Sequence, residues 1–89
     1  MLLSSSCRRK ILRVLSRRGR IHFMELVREV NSTYNQVNSN VRIFTEEGIV
    51  IDERLGRMRI IRLNRENPKT QLLLQALKLL ENSRGQPNL

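Results

Sequence analysis

Apolar residues recur along this chain with two different periods. Cys7, Ile11, Val14 and Leu15 fall at helical spacing, with Leu12 at the edge of the stripe. Arg9, Lys10, Arg13 and Arg17 occupy the opposite face. Ser4–Ser6 supply N-cap hydroxyls, so a helix is predicted to run to about Arg18, where Gly19 stops it. Arg20-Ile21-His22 reads as a short extended link. Phe23, Leu26, Val27 and Val30 mark a second helix of about two turns, ended by the turn residues Asn31-Ser32. Thr33 with Gln36 three residues later has the form of a capping box, which opens a third helix at Tyr34. Its inward stripe is Val37, Val41 and Phe44, and Gly48 closes it.

From Ile49 the period becomes two. Ile49 and Ile51 are expected to face one way on one strand, and Arg59, Ile61 and Leu63 to share a face on the next. Leu55-Gly56 between Arg54 and Arg57 sits where a tight hairpin turn is needed. After a break at Asn64–Asn67, Pro68 is placed for the first position of a fourth helix over Lys69–Asn82. The predicted class is α+β and mainly helical: a three-helix core with a β-hairpin wing, a winged helix-turn-helix, followed by an added C-terminal dimerisation helix. Residues 1–66 would form the DNA-binding domain, 67–82 the dimerisation helix and 83–89 a flexible tail.

The third helix carries the chemistry. Positions not used by the core are Asn35, Gln36, Asn38, Ser39 and Arg42, with Thr33 and Tyr34 at the leading end. Asn and Gln can pair bidentately with adenine and Arg with guanine. Ordinary solvated faces favour Glu and Lys, which are better helix formers than Asn and Ser. No acid appears on this helix before Glu46, so nothing at its leading end repels phosphate. Arg54, Arg57 and Arg59 bracket the hairpin tip, where they can grip backbone or minor groove. Arg59 is the weakest of the three, because its face also carries Ile61 and Leu63. Arginines on an exposed hairpin also protect an edge from aggregation, which is the competing reading.

Bulk properties agree with a polyanionic partner. The chain has 89 residues and a net charge of +9, and Arg, the better fork for phosphate and guanine, dominates its cations. With 3% aromatic residues and no Trp, the core must be aliphatic. Cys7 is the one cysteine, which rules out an internal disulfide or a cysteine metal cluster within one chain; it is expected as a buried structural thiol. His22 is the one histidine and is assigned to a strand end or helix start. No nucleophile–base pair, Gly-rich phosphate loop or paired carboxylate is present, so no enzyme and no cofactor are expected. No apolar run reaches transmembrane length and no targeting segment is apparent, which points to the cytoplasm and its nucleoid.

The fourth helix is apolar around too much of its circumference. Leu72, Ala76 and Leu79 share one direction, and Leu73, Leu77 and Leu80 another, with Leu74 beyond them. Packing on one's own domain needs a stripe of only about 100°. A homodimer interface through Leu72, Leu73, Ala76, Leu77 and Leu80 accounts for the surplus, with Leu2 and Leu3 adding to the seam.

The order of elements from about Ile11 to Leu63 resembles the winged-helix transcription regulators of bacteria and archaea, of the ArsR-like and MarR-like kind. The matching residues are Phe23-Met24-Glu25-Leu26, the Val37, Val41, Phe44 stripe and the junction Glu46-Glu47-Gly48-Ile49-Val50. Arg54-Leu55-Gly56-Arg57 matches the wing tip and Arg62-Leu63 its return strand. The resemblance implies a homodimer on a palindromic operator in double-stranded DNA, often a repressor. Metal-sensing members use Cys, His and acidic clusters that this sequence lacks, so no metal is expected. The alternatives are an architectural protein that coats DNA without reading it, and an RNA- or protein-interaction module. Amides on the third helix favour base reading over coating.

Overall fold

The computed structural model describes residues 2–85. Helix α1 spans Ser6–Arg18, strand β1 Arg20–His22, helix α2 Phe23–Val30 and helix α3 Tyr34–Glu46. Strands β2, Val50–Leu55, and β3, Met58–Leu63, form the hairpin, and helix α4 spans Pro68–Gly85. The backbone is thus helical through Gly85, into the segment expected as a flexible tail from Ser83; residues 86–89 lie outside the described residues. The sheet is antiparallel with β3 in the centre, in the order β1-β3-β2.

Local chemistry explains where each element begins and ends. The Ser5 hydroxyl accepts the Arg8 N–H and caps α1. Gly19 follows at φ +79°, a backbone region that suits glycine, and its N–H bonds the Leu15 carbonyl. Asn31 ends α2 in the left-handed region at φ 58°, the second-best residue for that position. The Thr33 hydroxyl accepts the Gln36 N–H at 3.1 Å, as the capping box requires. The reciprocal arm is diverted, since the Gln36 side chain bonds the Ser32 hydroxyl. Asn67 caps α4 by accepting the Lys69 N–H at 3.0 Å. Its amide also donates to the Gly48 carbonyl at 2.9 Å, tying the start of α4 to the end of α3.

Ile11, Leu12, Leu15, Leu26, Val37, Val41 and Phe44 meet at the centre with none or almost none of their surface exposed. Leu12 is therefore a core residue and not the edge of its stripe, because α2 and α3 both pack on α1. Cys7, expected to be buried, is half-buried, with its Sγ 3.9 Å from the Ser32 Oγ. The strand alternation begins one residue later than expected. Ile49 is still in the helix exit, its N–H bonded to the Phe44 carbonyl, and it is buried there. Val50, not Ile51, then faces the core, opposite Leu63 in the register. Ile60 is buried as well, flanked by β1 through its pairing with His22.

Helix α4 closes the same core. Leu77 is 4% exposed, and Leu73, Leu74 and Ala76 pack partly against the core cluster. Leu3 is buried too, so it belongs to the core and not to an outer seam. Arg13 of α1 pairs with Glu81 of α4. The other side of α4 is open: Leu72, Leu79 and Leu80 are 65%, 68% and 40% exposed. The two leucine faces are thus assigned in the opposite sense to part of the expected interface. Leu77 is buried against its own domain, and Leu72 and Leu79 face out.

Candidate nucleic-acid interface

Helix α3 presents three distinct sides besides its core stripe. Asn35, Ser39 and Arg42, at i, i+4 and i+7, form an exposed outer line. Toward the hairpin lie Tyr34, half exposed, and Asn38, half-buried. On the other side Gln36 is held by Ser32, and Asn40 accepts the Arg8 Nε–H at 2.8 Å. Thr33 is exposed at the N-cap. The first turn has no acidic residue, so its unpaired N–H groups and positive dipole end are open to an anion. Arg42 has no ion-pair partner among the described residues.

The hairpin turns through Gly56 and Arg57, with Gly56 at φ 61°. Arg57 is exposed and also without an acidic partner among the described residues. Arg54 is exposed and 3.9 Å from an Asp52 oxygen, a weak constraint. Arg59 is different. Its side chain is only 14% exposed and forks onto Asp52, with Nη2 2.8 Å and Nε 3.2 Å from the carboxylate. The same Nη2 donates to the Asn38 Oδ1 at 2.8 Å. The guanidinium carbon lies 3.8 Å from the centroid of the Phe23 ring, and Phe23 meets Tyr34 edge-on at 5.1 Å. Arg59 and Asn38 therefore form an internal bridge between hairpin and α3. Arg54, loosely paired with Asp52, and Arg57 stay exposed at the tip.

A cleft of about 310 Å³ lies where these parts meet, lined by Phe23, Met24, Tyr34, Arg57, Met58 and Arg59. Arg59, expected as a tip cation, is instead held by Asp52, which is not among the expected site residues, and by Phe23, expected only as a core residue of α2. A signal for Asp52 was present: with the turn at Gly56-Arg57, alternation puts Asp52, Arg54 and Arg59 on one face of the ribbon. Asp52 there neutralises two arginines that stand directly opposite each other. Among the described residues no group of three or more His, Cys, Asp and Glu could hold a metal ion, and no helix is long and apolar enough to cross a membrane.

Residues 8–51 match the family of winged helix-turn-helix DNA-binding domains. With its α1–α2–α3 core and hairpin wing, the chain has the winged helix-turn-helix fold, in keeping with that match. Solved structures place the fold more closely. The antimony-specific transcriptional repressor AntR superposes with a TM-score of 0.75 at 22% identity, over 96% of this chain and 76% of that one. A MarR family transcriptional regulator from Silicibacter pomeroyi gives 0.76 at 18% identity, over 91% of this chain and 53% of that one. A homodimeric winged helix-turn-helix DNA-binding domain from Mycobacterium bovis, described as a possible ArsR-family regulator, gives 0.72 at 16% identity, over 93% and 74%. The fold is thus that of the ArsR and MarR regulators. No curated protein matches the sequence.

Proposed function

We propose that this protein is a homodimeric transcription regulator that binds an inverted-repeat operator in double-stranded DNA. The observation that carries the reading is the exposed line of Asn35, Ser39 and Arg42 on α3, beside the unpaired Arg57 of the wing. Amide, hydroxyl and guanidinium groups at that spacing suit base edges in a major groove. Thr33, Tyr34 and Gln36 flank the line at the leading end of the helix, where backbone contacts fall. Arg54 and Arg57 would take phosphates or the minor groove alongside.

Dimerisation follows from the exposed Leu72, Leu79 and Leu80, with Ala76 and Leu73 at the margin. Two-fold symmetry would present two α3 helices to successive major grooves. Repression is the sign we propose: AntR is a repressor, and a dimer lying across an operator occludes it. Such a protein would act in the cytoplasm, on the nucleoid.

Selection of bound duplexes from a random pool tests the reading directly. An enriched inverted repeat is expected, and on it Arg42→Ala should lose about 1–3 kcal/mol while relaxing preference at one base pair of each half-site. Enrichment of no sequence would instead favour a DNA-coating protein.

A further inference from the structure

We infer that Arg59 is a positioning residue that sets the orientation of the Asn38 side-chain amide and, through it, the base that Asn38 reads. The inference rests on the DNA-reading function proposed above. A guanidinium has donors only, so the Asn38 atom 2.8 Å from Arg59 Nη2 must be the carbonyl oxygen. The Asn38 NH2 has no bond to another described residue and is left for a ligand. An amide held this way offers donors. It suits an acceptor-only base edge, such as the N7 and O6 of guanine. A freely turning asparagine can instead pair with adenine through one donor and one acceptor.

Three further contacts hold Arg59 in place. Asp52 fixes both ends of its fork, the Phe23 ring lies under its plane, and Tyr34 braces Phe23 from the edge. Tyr34 and Asn38 are one turn apart on α3, so the bridge clamps the helix and both wing strands at one point. Arg57, outside the bridge, and Arg54, which touches it only through the long 3.9 Å approach to Asp52, remain the phosphate-facing pair.

The test compares the parent with Asp52→Leu/Arg59→Met. The pair is exchanged together because Arg59 alone would leave the Asp52 carboxylate half-buried without its partner. Duplexes selected by the parent should show one position per half-site where guanine is favoured over adenine by about tenfold or more. In the double variant that ratio should fall to about twofold while the other positions keep theirs. The slope of log K against log salt should not change, because no phosphate contact is lost. The side-chain amide signals of Asn38 in a 15N-correlated spectrum of the free protein should shift and sharpen. Asn38→Asp, which keeps a bond to Arg59 but removes the donors, should lose the same guanine preference.

An equal loss on every duplex with unchanged base preferences would overturn the inference and leave the bridge as scaffolding. A salt slope lowered by about one unit would overturn it differently, by making Arg59 a phosphate contact. A parent that enriches no sequence refutes the DNA-reading function itself, and the inference with it.

Discussion

Replacing Leu72 and Leu79 together by Gln should yield a folded monomer. The two residues are two turns apart on α4 and are the most exposed leucines among the described residues. Burying a whole leucine side chain contributes about 1.5–3 kcal/mol, so covering the exposed two-thirds of each is worth about 1–2 kcal/mol. Leu80, exposed over two-fifths, adds about 0.6–1.2 kcal/mol on the same scale. A symmetric dimer counts each twice, which gives about 5–10 kcal/mol from these residues in all. Association itself costs about 4–15 kcal/mol in lost rigid-body freedom. The leucines alone therefore bring a dimer to the margin, and the groove formed by Leu2, Ile49, Leu73 and Ala76 beside Leu72 must supply the remainder. Removing two of the three anchors should abolish association. Stability should change little, since neither side chain is in the core. Leu77→Gln is the contrasting variant. Leu77 is 4% exposed within its own subunit, and its loss should cost about 2–5 kcal/mol of folding free energy. Sedimentation equilibrium with parallel thermal melts separates the two. A parent that is monomeric at tens of micromolar, or a Leu72/Leu79 variant that still dimerises, refutes the reasoning.

Two further outcomes are expected. Arg57→Ala should weaken binding to all duplexes and reduce the slope of log K against log salt by about one unit, measured by anisotropy titration across salt; an unchanged slope would leave Arg57 as an edge-protecting charge. Thr70→Val should stabilise the fold by about 1–2 kcal/mol in urea denaturation, because the Thr70 hydroxyl is fully buried and has no hydrogen-bond partner among the described residues; a loss of stability would mean that the hydroxyl is satisfied in solution.

The sequence made the helices legible, and the hairpin turn to within one residue (Gly56-Arg57 in place of Leu55-Gly56), because their signals are local. Val37, Val41 and Phe44 could face only one way on α3, and all three are fully buried. Gly19 and Gly48 sit at positive φ at the helix ends where the apolar pattern stops. What escaped depended on partners far along the chain. Leu12 looked marginal on its own helix and became central once α2 and α3 closed over it. Ile51 and Val50 are equally good strand residues, and only the length of the helix exit through Ile49 decides which one turns inward. The two faces of α4 carry the same side-chain chemistry, so periodicity showed a surplus without showing which face is spare. Arg59 is the sharpest case. In the sequence only the apolar company of Ile61 and Leu63 sets it apart from Arg54 and Arg57, and strand alternation places Asp52 on the same face; the helix that brings Asn38 within reach exists only in the folded chain.

The division of labour in this small protein follows from which contacts are rigid. The Arg59 bridge locks α3 to the wing, so the outer line of α3 and the hairpin-tip arginines move as one body. Leu77, the Arg13–Glu81 pair and the Asn67 bonds to Gly48 fix α4 to that same body. If the outer face of α4 is the two-fold contact, no hinge intervenes between the dimer seam and the recognition helix. Half-site spacing is then set by how two α4 helices cross, and base preference by α3 and its bridge. The two properties are carried by separate residues. Selected operators should accordingly show one fixed spacing, and changes at Leu72 or Leu79 should alter or abolish that spacing while leaving the half-site sequence as it was.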